Sequence, residues 1–274
     1  MSLINVDKHK CKADGICVKV CPIEILKMDA DKRIPAAIEN AEEICINCGH
    51  CVCVCPYGAL SLNTMPVIEL KQLPADWRIQ EDKLEVFLKG RRSIRQYENT
   101  LVSKKKLEKL IDIARYAPTG INKQPVRWTV VYEKEQTHKL AELVVEWMRQ
   151  LVQAKSPLAE SLRMDLTVSM WQQGKDRICR DAPHLILGHA LKDDMLAPQA
   201  ATIAFAYLEL SAVSMGLGAC WAGYVNMAVN ASETVRKFLG LSSRSACFGA
   251  MLIGFAQYEY KRIPLRNNPH IKWR

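Results

Sequence analysis

The chain has 274 residues, of which 49% are hydrophobic and 24% are charged, and this composition is typical of a globular protein with one or two domains. Its formal net charge of +9 is uneven, because residues 1–64 carry seven Lys and Arg against eight Asp and Glu. The basic residues beyond position 64 are scattered among acidic ones with few aromatic residues between them. This pattern argues against a nucleic-acid partner and favours a solvated surface with one anion-binding site.

Cysteine is concentrated at the start of the chain. Eleven cysteines are present, and eight of them fall within the first 55 residues. Such a placement favours metal ligation over a disulfide framework, whose cysteines would be spread along the chain. The first ten residues are charged and lack the apolar run of a secretory signal. We therefore expect a cytoplasmic protein with reduced, metal-binding thiols.

The cysteine-rich region contains an internal repeat. Residues 11–29 align with residues 45–63 at a constant offset of 34, with no gap. The second copy contains the run Cys45-x2-Cys48-x2-Cys51-x3-Cys55 followed by proline, which is the bacterial pattern for iron–sulfur ligation. Zinc is the alternative, but zinc sites prefer two CxxC pairs separated by a longer spacer.

With both copies present, residues 1–64 resemble a two-cluster bacterial ferredoxin. In that pattern the last cysteine of each copy ligates the cluster held by the other copy. The resemblance therefore implies one cluster bound by Cys21, Cys45, Cys48 and Cys51. It implies a second cluster bound by Cys11, Cys17 and Cys55, with Asp14 at the position of the fourth ligand.

Asp14 stands where the repeat has Cys48. A carboxylate can ligate iron, although its oxygen is a harder donor than a thiolate. Two forms of the second cluster stay open: a [4Fe-4S] cluster with Asp14 as a ligand, or a [3Fe-4S] cluster beside which Asp14 is a polar loop residue. The first cluster is expected to be [4Fe-4S].

Residues 65–82 hold two prolines and little apolar periodicity, and we interpret them as a linker to a second domain over residues 83–274. Leu84, Phe87 and Leu88 predict a short helix that ends at Gly90, and Ser103 is a candidate N-cap for a helix to about Tyr116. The pattern then predicts a strand at 126–132, a helix at 134–154, an irregular middle, a strand at 184–190, a helix at 197–215, a short helix between Ser232 and Gly240, and a strand at 246–255. This alternation indicates an α/β or α+β domain.

Residues 196–225 form a nearly uncharged run that is long enough to span a bilayer, with Glu209 as its single charge. Pro198, Gln199 and the Gly-rich end of the run argue against a membrane span. A helix that is apolar all round is also what a large core or a subunit interface requires. We therefore expect a buried helix and no membrane partner.

Three stretches of the second domain carry a further resemblance: RRSIRQY at 91–97, APTGINKQPVRW at 117–128 and GLGACWAGY at 216–224. In this order they resemble the FMN-dependent nitroreductase family, from about residue 83 to the end. Each stretch alone would also suit a surface charge patch or an ordinary turn. The resemblance implies an α+β fold with a sheet flanked by helices, a bound FMN, and a homodimer with two FMN sites at the subunit interface.

The resemblance also assigns the residues that contact FMN. Guanidinium groups bind phosphate through paired hydrogen bonds, so the assignment of Arg91, Arg92 and Ser93 to the phosphate is chemically sound. The remaining assignments are Arg95 beside the flavin pyrimidine, Asn122 and Gln124 as flavin contacts, and Trp221, Ala222 and Gly223 as a segment that directs a main-chain N–H at flavin N5. Lys261, Arg262 and Arg266 compete to complete the phosphate site, and Arg266 is our choice. No catalytic side chain is predicted, because a flavin carries its own chemistry.

The two resemblances together predict an oxidoreductase. Electrons would enter the iron–sulfur clusters from an external ferredoxin or flavodoxin, collect on FMN, and leave as a hydride to a small electrophile such as a nitro compound, a quinone or an activated alkene. One alternative is a nitroreductase reduced by NAD(P)H, whose clusters are an outlet or a redox sensor. The other is a non-enzymatic electron carrier or flavin-binding partner protein. Residues 155–182 carry no motif, and we expect substrate specificity there.

Overall fold

A computed structural model describes residues 3–274 of the chain. Its contacts divide the chain into two compact units. The first runs to Ile79 and also includes Ile121–Lys123, and the second comprises Gln80–Gly120 and Gln124–Arg274. Within the described residues, no helix combines the length and the apolar character that crossing a membrane requires.

The first unit is built from short elements. Its strands are β1 (Ile4–Val6), β2 (Leu26–Met28), β3 (Pro35–Ala37) and β4 (Leu60–Leu62), and its helices are α1 (Ile16–Lys19), α2 (Ala41–Ile44) and α3 (His50–Cys53). Strand β1 pairs antiparallel with β4, and β2 pairs antiparallel with β3. A small apolar core that includes Leu26, Val52 and Leu60 lies between these elements.

The sequence repeat of the first unit is also a repeat of backbone conformation. Helices α1 and α3 are displaced by 34 residues, as are strands β2 and β4. The residues with positive φ recur at the same offset: Ala13 and Asn47 (56° and 50°), Gly15 and Gly49 (68° and 73°), Glu24 and Gly58 (54° and 56°). The two copies therefore fold alike around their cysteines.

The second unit is an α+β domain around one antiparallel sheet. Its strands are β5 (Arg127–Val131), β6 (His184–Leu191), β7 (Gly218–Trp221) and β8 (Ser245–Gly254), in the order β5-β6-β8-β7. Its helices are α4 (Glu81–Gly90), α5 (Lys104–Ala114), α6 (Lys134–Gln153), α7 (Pro157–Ser161), α8 (Met164–Gln172), α9 (Ala197–Ser214), α10 (Gly223–Ala231) and α11 (Glu233–Phe238). The predicted sheet flanked by helices is confirmed.

Helices cover both faces of this sheet. Because alternate strand residues point to opposite faces, neighbouring residues of one strand enter different cores. Leu185 and Leu187 of β6 pack into a core with helices α6, α8 and α10. Ile186, between them, packs into a second core with helices α5 and α9. The central strands are therefore apolar almost throughout, which agrees with the strand predicted at residues 184–190.

Helix α9 lies close to the sheet because two glycines make room for Phe205. Gly188 of β6 and Gly249 of β8 are paired across the strands. A Cβ atom would lie 2.6 Å from the Phe205 ring at Gly188 and 2.3 Å from it at Gly249. The apolar run at 196–225 is thus a helix packed on a sheet, followed by β7 and the start of α10.

The sequence analysis missed local structure in two places. The irregular middle contains α7 and α8, the latter beginning after Arg163, a non-glycine residue with a φ of 48° and no side-chain cap. The stretch 216–224, for which no element was predicted, contains the four-residue strand β7, which runs into α10. Both cases lack the usual signals, since α8 has no cap residue of the preferred type and β7 is too short for an alternating pattern.

Candidate functional site

The first unit places its cysteines around two separate cavities. One cavity is lined by Cys21, Cys45, Cys48 and Cys51, together with Pro22, Gly49 and the aliphatic side chains of Leu26 and Leu62. Cys21 comes from the first copy of the repeat and the other three cysteines from the second. The structure therefore brings together the four residues that crossed ligation assigns to the first cluster.

The other cavity collects the second predicted set. It is lined by Cys11, Asp14, Cys17 and Cys55, with Tyr57 and Pro35 on its wall. Asp14 therefore faces the same space as the three thiols of its set. Residues 3–274 hold no group of three or more His, Cys, Asp or Glu side chains that could share a single metal ion. The donors of each set surround a common cavity instead.

The loops that hold these donors are tightly turned. Gly15 and Gly49 begin helices α1 and α3 in the left-handed conformation, which costs glycine little. The Asp14 carboxylate accepts a hydrogen bond from the Ile16 main-chain N–H through Oδ1, at 3.1 Å. One oxygen is thereby fixed by the loop, which orients the carboxyl group. The Ala59 N–H donates to Cys55 Sγ at 3.3 Å, a contact that favours the thiolate.

Burial opposes the free thiolate in both sets. It raises the pKa of Cys51 to about 11, and it raises the pKa of Cys17 above its ordinary value. A thiolate at either position therefore requires positive charge in the cavity, which an iron–sulfur centre supplies. Cys53, in the same run, is exposed and lines neither cavity. The residues present fit two clusters with the predicted ligands.

In the second unit the basic segment 91–97 extends one edge of the sheet. Ser93 forms a parallel bridge with Ala219 of β7, and the Ile94 N–H donates to the Ala219 carbonyl at 2.8 Å. Tyr97 forms an antiparallel bridge with Ala256, just after β8. The segment is thus held by main-chain hydrogen bonds, with its arginines at the sheet edge.

Arg91 and Arg266 are brought together. Both line a cavity of about 320 Å³ that Lys89 also lines; Arg91 is paired there with Glu209 and Lys89 with Glu85. Arg92 lies over the ring of Tyr260, with 5.7 Å from the guanidinium carbon to the ring centre. Lys261 pairs with Glu259 and does not line this cavity. The contacts therefore support Arg266 over Lys261.

In the segment assigned to flavin N5, residues 221–223, only some of the main-chain N–H groups are available to a ligand. The Ala222 N–H donates to the Ala250 carbonyl at 2.8 Å, so it belongs to the sheet. Gly223 is exposed and is the first residue of α10, where N–H groups have no acceptor within the helix. A Cβ atom at Gly223 would meet nothing within 4 Å. Gly223 is accordingly the better candidate donor, beside the exposed ring of Trp221.

The loop at 117–125 is strained, with positive φ at Ile121, Asn122 and Gln124. Asn122 belongs by its contacts to the first unit, where its amide donates to the carbonyls of Ile46 at 3.2 Å and Asn47 at 2.8 Å. The Gln124 N–H donates to Thr119 Oγ1 at 3.1 Å, and Gln124 lines a cavity between α5, β5 and α9. Their assignment as flavin contacts stays a prediction.

Sequence reasoning missed two charged residues near this site. Glu209 of α9 accepts from Arg91 Nη1 at 2.8 Å and is largely buried. The sequence signal that could have indicated Glu209 was its position as the single charged residue in an otherwise uncharged helix. Arg180 is half-buried and lies three residues before Pro183, whose ring and that of Tyr97 would each lie 2.8 Å from a Cβ atom at Gly254. It falls in the stretch that carried no motif, so no pattern indicated it.

Comparison with known families agrees with both halves of this description. Residues 88–255 match the model of the Nitroreductase family. The chain belongs to the nitroreductase family. Residues 9–59 match the 4Fe-4S dicluster domain. The predicted fusion of a nitroreductase-like oxidoreductase with an N-terminal ferredoxin-like domain is therefore confirmed.

Individual relatives cover one half or the other of this nitroreductase-family chain. A Methanothermobacter thermautotrophicus protein with the provisional name NADH dehydrogenase/NAD(P)H nitroreductase is 24% identical over 174 residues, 64% of this chain and 77% of that protein. A ferredoxin of Methanothermococcus thermolithotrophicus is 34% identical over 61 residues, 22% of this chain and 95% of the ferredoxin. A Desulfitobacterium hafniense nitroreductase crystallised with FMN superposes with a TM-score of 0.56 at 20% identity, covering 71% of this chain and all of that one.

Proposed function

We propose that this protein is an FMN-dependent reductase that receives electrons through two iron–sulfur clusters and delivers them to a small electrophile. The observation that carries the proposal is the presence, in one chain, of two four-donor cavities in the first unit and a cavity lined by Lys89, Arg91 and Arg266 in the second. A flavin suits such a junction because it accepts electrons singly and delivers them in pairs.

Support for two clusters comes from which cysteines line each of the two cavities. Cys21 and Cys55 each line the cavity of the opposite repeat, as crossed ligation requires. Asp14 faces the second cavity with one oxygen fixed by the Ile16 N–H, which leaves the other for iron. We therefore favour a [4Fe-4S] cluster with an Asp14 ligand over a [3Fe-4S] cluster.

Support for FMN comes from the second unit. Arg91 and Arg266 at one cavity would hold the phosphate, with Ser93 and Arg92 on the same segment. Arg95 and the Gly223 N–H lie at the β7 end, where they would contact the ring. The protein would thus bind, orient and charge-stabilise the flavin, and the flavin would supply the hydride chemistry. The D. hafniense relative with bound FMN supports the same cofactor.

We further propose a homodimer in a reducing compartment such as the cytoplasm. Helix α4 has no buried residue although it carries Leu84, Val86 and Leu88, and Tyr207 on α9 is also exposed. These apolar surfaces suit burial against a second copy. The eleven cysteines are all free, which agrees with reduced thiols.

Cofactor analysis tests the proposal. After anaerobic purification we expect bound FMN and about eight iron atoms per chain if Asp14 holds an iron, or about seven if it does not. EPR of the reduced protein should show two clusters, and Asp14→Cys should change one signal and its reduction potential. Absence of iron and sulfide would overturn the first half of the proposal, and absence of flavin the second.

The alternative functions predict different kinetics. Rapid FMN reduction by NAD(P)H in a variant that has lost its clusters would favour an ordinary nitroreductase with an accessory cluster domain. Reducible FMN without turnover of any nitro compound, quinone or activated alkene would favour an electron carrier. The M. thermautotrophicus relative, named for NAD(P)H, is the reason to test the first alternative.

A further inference from the structure

The side chain of Asn122 is bound to the loop that carries two ligands of the first cluster. Asn122 Nδ2 donates to the Ile46 carbonyl at 3.2 Å and to the Asn47 carbonyl at 2.8 Å. These carbonyls lie between Cys45 and Cys48, both of which line the cavity of the first cluster. A side-chain amide has two N–H donors, so both of them are used on one loop. Asn122 therefore fixes two successive carbonyls between ligands of the first cluster.

Asn122 does not come from the ferredoxin-like stretch of the sequence. That stretch is matched over residues 9–59, whereas Asn122 lies within residues 88–255, which match the nitroreductase family. By its contacts the segment Ile121–Lys123 nevertheless belongs to the first unit. Asn122 has a φ of 54°, a conformation that asparagine tolerates better than most residues do. The nitroreductase-family part of the chain thus supplies a residue that contacts a cluster loop.

The corresponding loop of the second cluster is bonded differently. At the offset of 34, the carbonyls of Ile46 and Asn47 correspond to those of Lys12 and Ala13. Ala13 has a φ of 56° and Asn47 a φ of 50°, so the two loops turn alike. Within residues 3–274 no side-chain donor reaches the carbonyls of Lys12 or Ala13. The two cluster loops therefore share a backbone conformation but differ in what binds their carbonyls.

A donor on a peptide carbonyl also strengthens the N–H of the same peptide group. The Asn47 carbonyl shares its peptide with the Cys48 N–H, and polarisation of the carbonyl makes that N–H a stronger donor. Thr64 Oγ1 donates to Asn47 Oδ1 at 2.6 Å, which fixes the side chain of the same loop residue. Hydrogen bonds to cluster sulfurs are among the factors that set a reduction potential, and they favour the reduced form because it carries more negative charge.

We propose that Asn122 is a positioning residue that raises the reduction potential of the first cluster through the carbonyls of Ile46 and Asn47. The inference rests on the proposed function and deepens it, because it says which of the two clusters is favoured as the electron carrier. The first cluster holds an electron more tightly with this contact than without it. The loop of the second cluster receives no such help from the nitroreductase-family part of the chain.

The experiment compares Asn122→Gly with Asn40→Gly in the full-length protein. Asn40 is the matched control, because it is an exposed asparagine of the first unit with a φ of 57° and no side-chain hydrogen bond to its helix. Glycine adopts positive φ without strain, so neither change disturbs the backbone. Redox titration followed by EPR gives the potential of each cluster, and the signal that Cys48→Ala removes or alters identifies the first. Losing about one net hydrogen bond should lower the ratio of reduced to oxidised first cluster about threefold to tenfold at a fixed potential.

A lower potential of the first cluster in Asn122→Gly, with Asn40→Gly and the second cluster unchanged, supports the inference. Equal potentials of the first cluster in the two variants would overturn it, as would an equal shift of both clusters. The FMN dissociation constant is measured on the same variants, because the sequence also predicts Asn122 as a flavin contact. A rise in that constant without a change in cluster potential would assign Asn122 to the flavin and overturn the inference.

A second pair of variants covers the case in which Asn122→Gly retains no iron. Asn122→Asp keeps the size of the side chain and also suits a positive φ, but an ionised carboxylate has no N–H to donate. Asn40→Asp is its control and adds the same charge to the same unit. The potential of the first cluster should be lower in Asn122→Asp than in Asn40→Asp, and equal values would overturn the inference. A wild-type protein without iron and sulfide would overturn the proposed function instead.

Discussion

Replacing Glu209 with Gln tests how the basic site is anchored. Glu209 Oε1 lies 2.8 Å from Arg91 Nη1, and no other charged residue lies on α9. The substitution keeps the size and an acceptor oxygen but removes the charge that compensates Arg91. We expect the second unit to lose stability, because a partly buried guanidinium is left unpaired.

The expected loss of stability in Glu209→Gln follows from how deeply the ion pair is buried. Breaking a fully buried ion pair by removing one partner costs about 3–5 kcal/mol. The Glu209 side chain is 11% exposed and that of Arg91 is 25% exposed, so solvent screens part of the interaction. We therefore expect a loss of about 2–3 kcal/mol, a discount from the fully buried case. In a unit of this size that lowers the melting temperature by about 4–12 °C.

Thermal unfolding followed by circular dichroism measures the effect. Glu233→Gln is the matched control, because it removes a carboxylate whose pair with Lys237 is exposed on both sides. The control should leave the melting temperature unchanged. Replacing Arg91 and Glu209 together by methionine should recover much of the loss, since no charge is then left unpaired. Equal melting temperatures for Glu209→Gln and Glu233→Gln would refute the reasoning.

Three further predictions concern packing, pH and the second cluster. Gly249→Ala should destabilise by about 1–3 kcal/mol in denaturant titration, because its Cβ would overlap the Phe205 ring, whereas Gly90→Ala, with nothing within 4 Å, should not. Burial lowers the pKa of His184, whose Nε2 accepts a hydrogen bond from the Val102 N–H at 2.8 Å. The free energy of unfolding should therefore decline as the pH falls below 6.5, the ordinary pKa of histidine, because the unfolded chain binds the proton more readily. A His184→Gln variant should show a weaker dependence of the free energy of unfolding on pH. Asp14→Cys should shift one reduction potential in redox titration, and an unchanged potential would mean that Asp14 binds no iron.

Much of this structure followed from local patterns. The repeat at an offset of 34, read with the crossed ligation that the resemblance to two-cluster ferredoxins implies, predicted which cysteines would meet. Helix α6 and strands β6 and β8 were predicted near their observed bounds, since long periodic or continuously apolar segments carry a strong signal.

The features that the sequence did not predict depend on contacts between residues that are far apart in the chain. Glu209 and Arg91 are 118 positions apart, and only the packing of α9 on the sheet makes them a pair. Arg180 has no helical or strand periodicity around it, and its φ of 55° occurs in a loop whose main-chain N–H groups donate to the Asp176 carboxylate. Ala222 looked free in a Gly-rich stretch, but β8 takes its N–H. Tertiary hydrogen bonding decided each of these cases.

The central claim is that electrons reach FMN through the clusters, and anaerobic stopped-flow spectroscopy tests it most directly. Reduced ferredoxin is mixed with full-length protein while the flavin absorbance is followed, in wild type, in Cys48→Ala and in the control Cys53→Ser. The account predicts rapid flavin reduction in wild type and Cys53→Ser, and its loss in Cys48→Ala with FMN still bound. Unchanged flavin reduction in Cys48→Ala would contradict it.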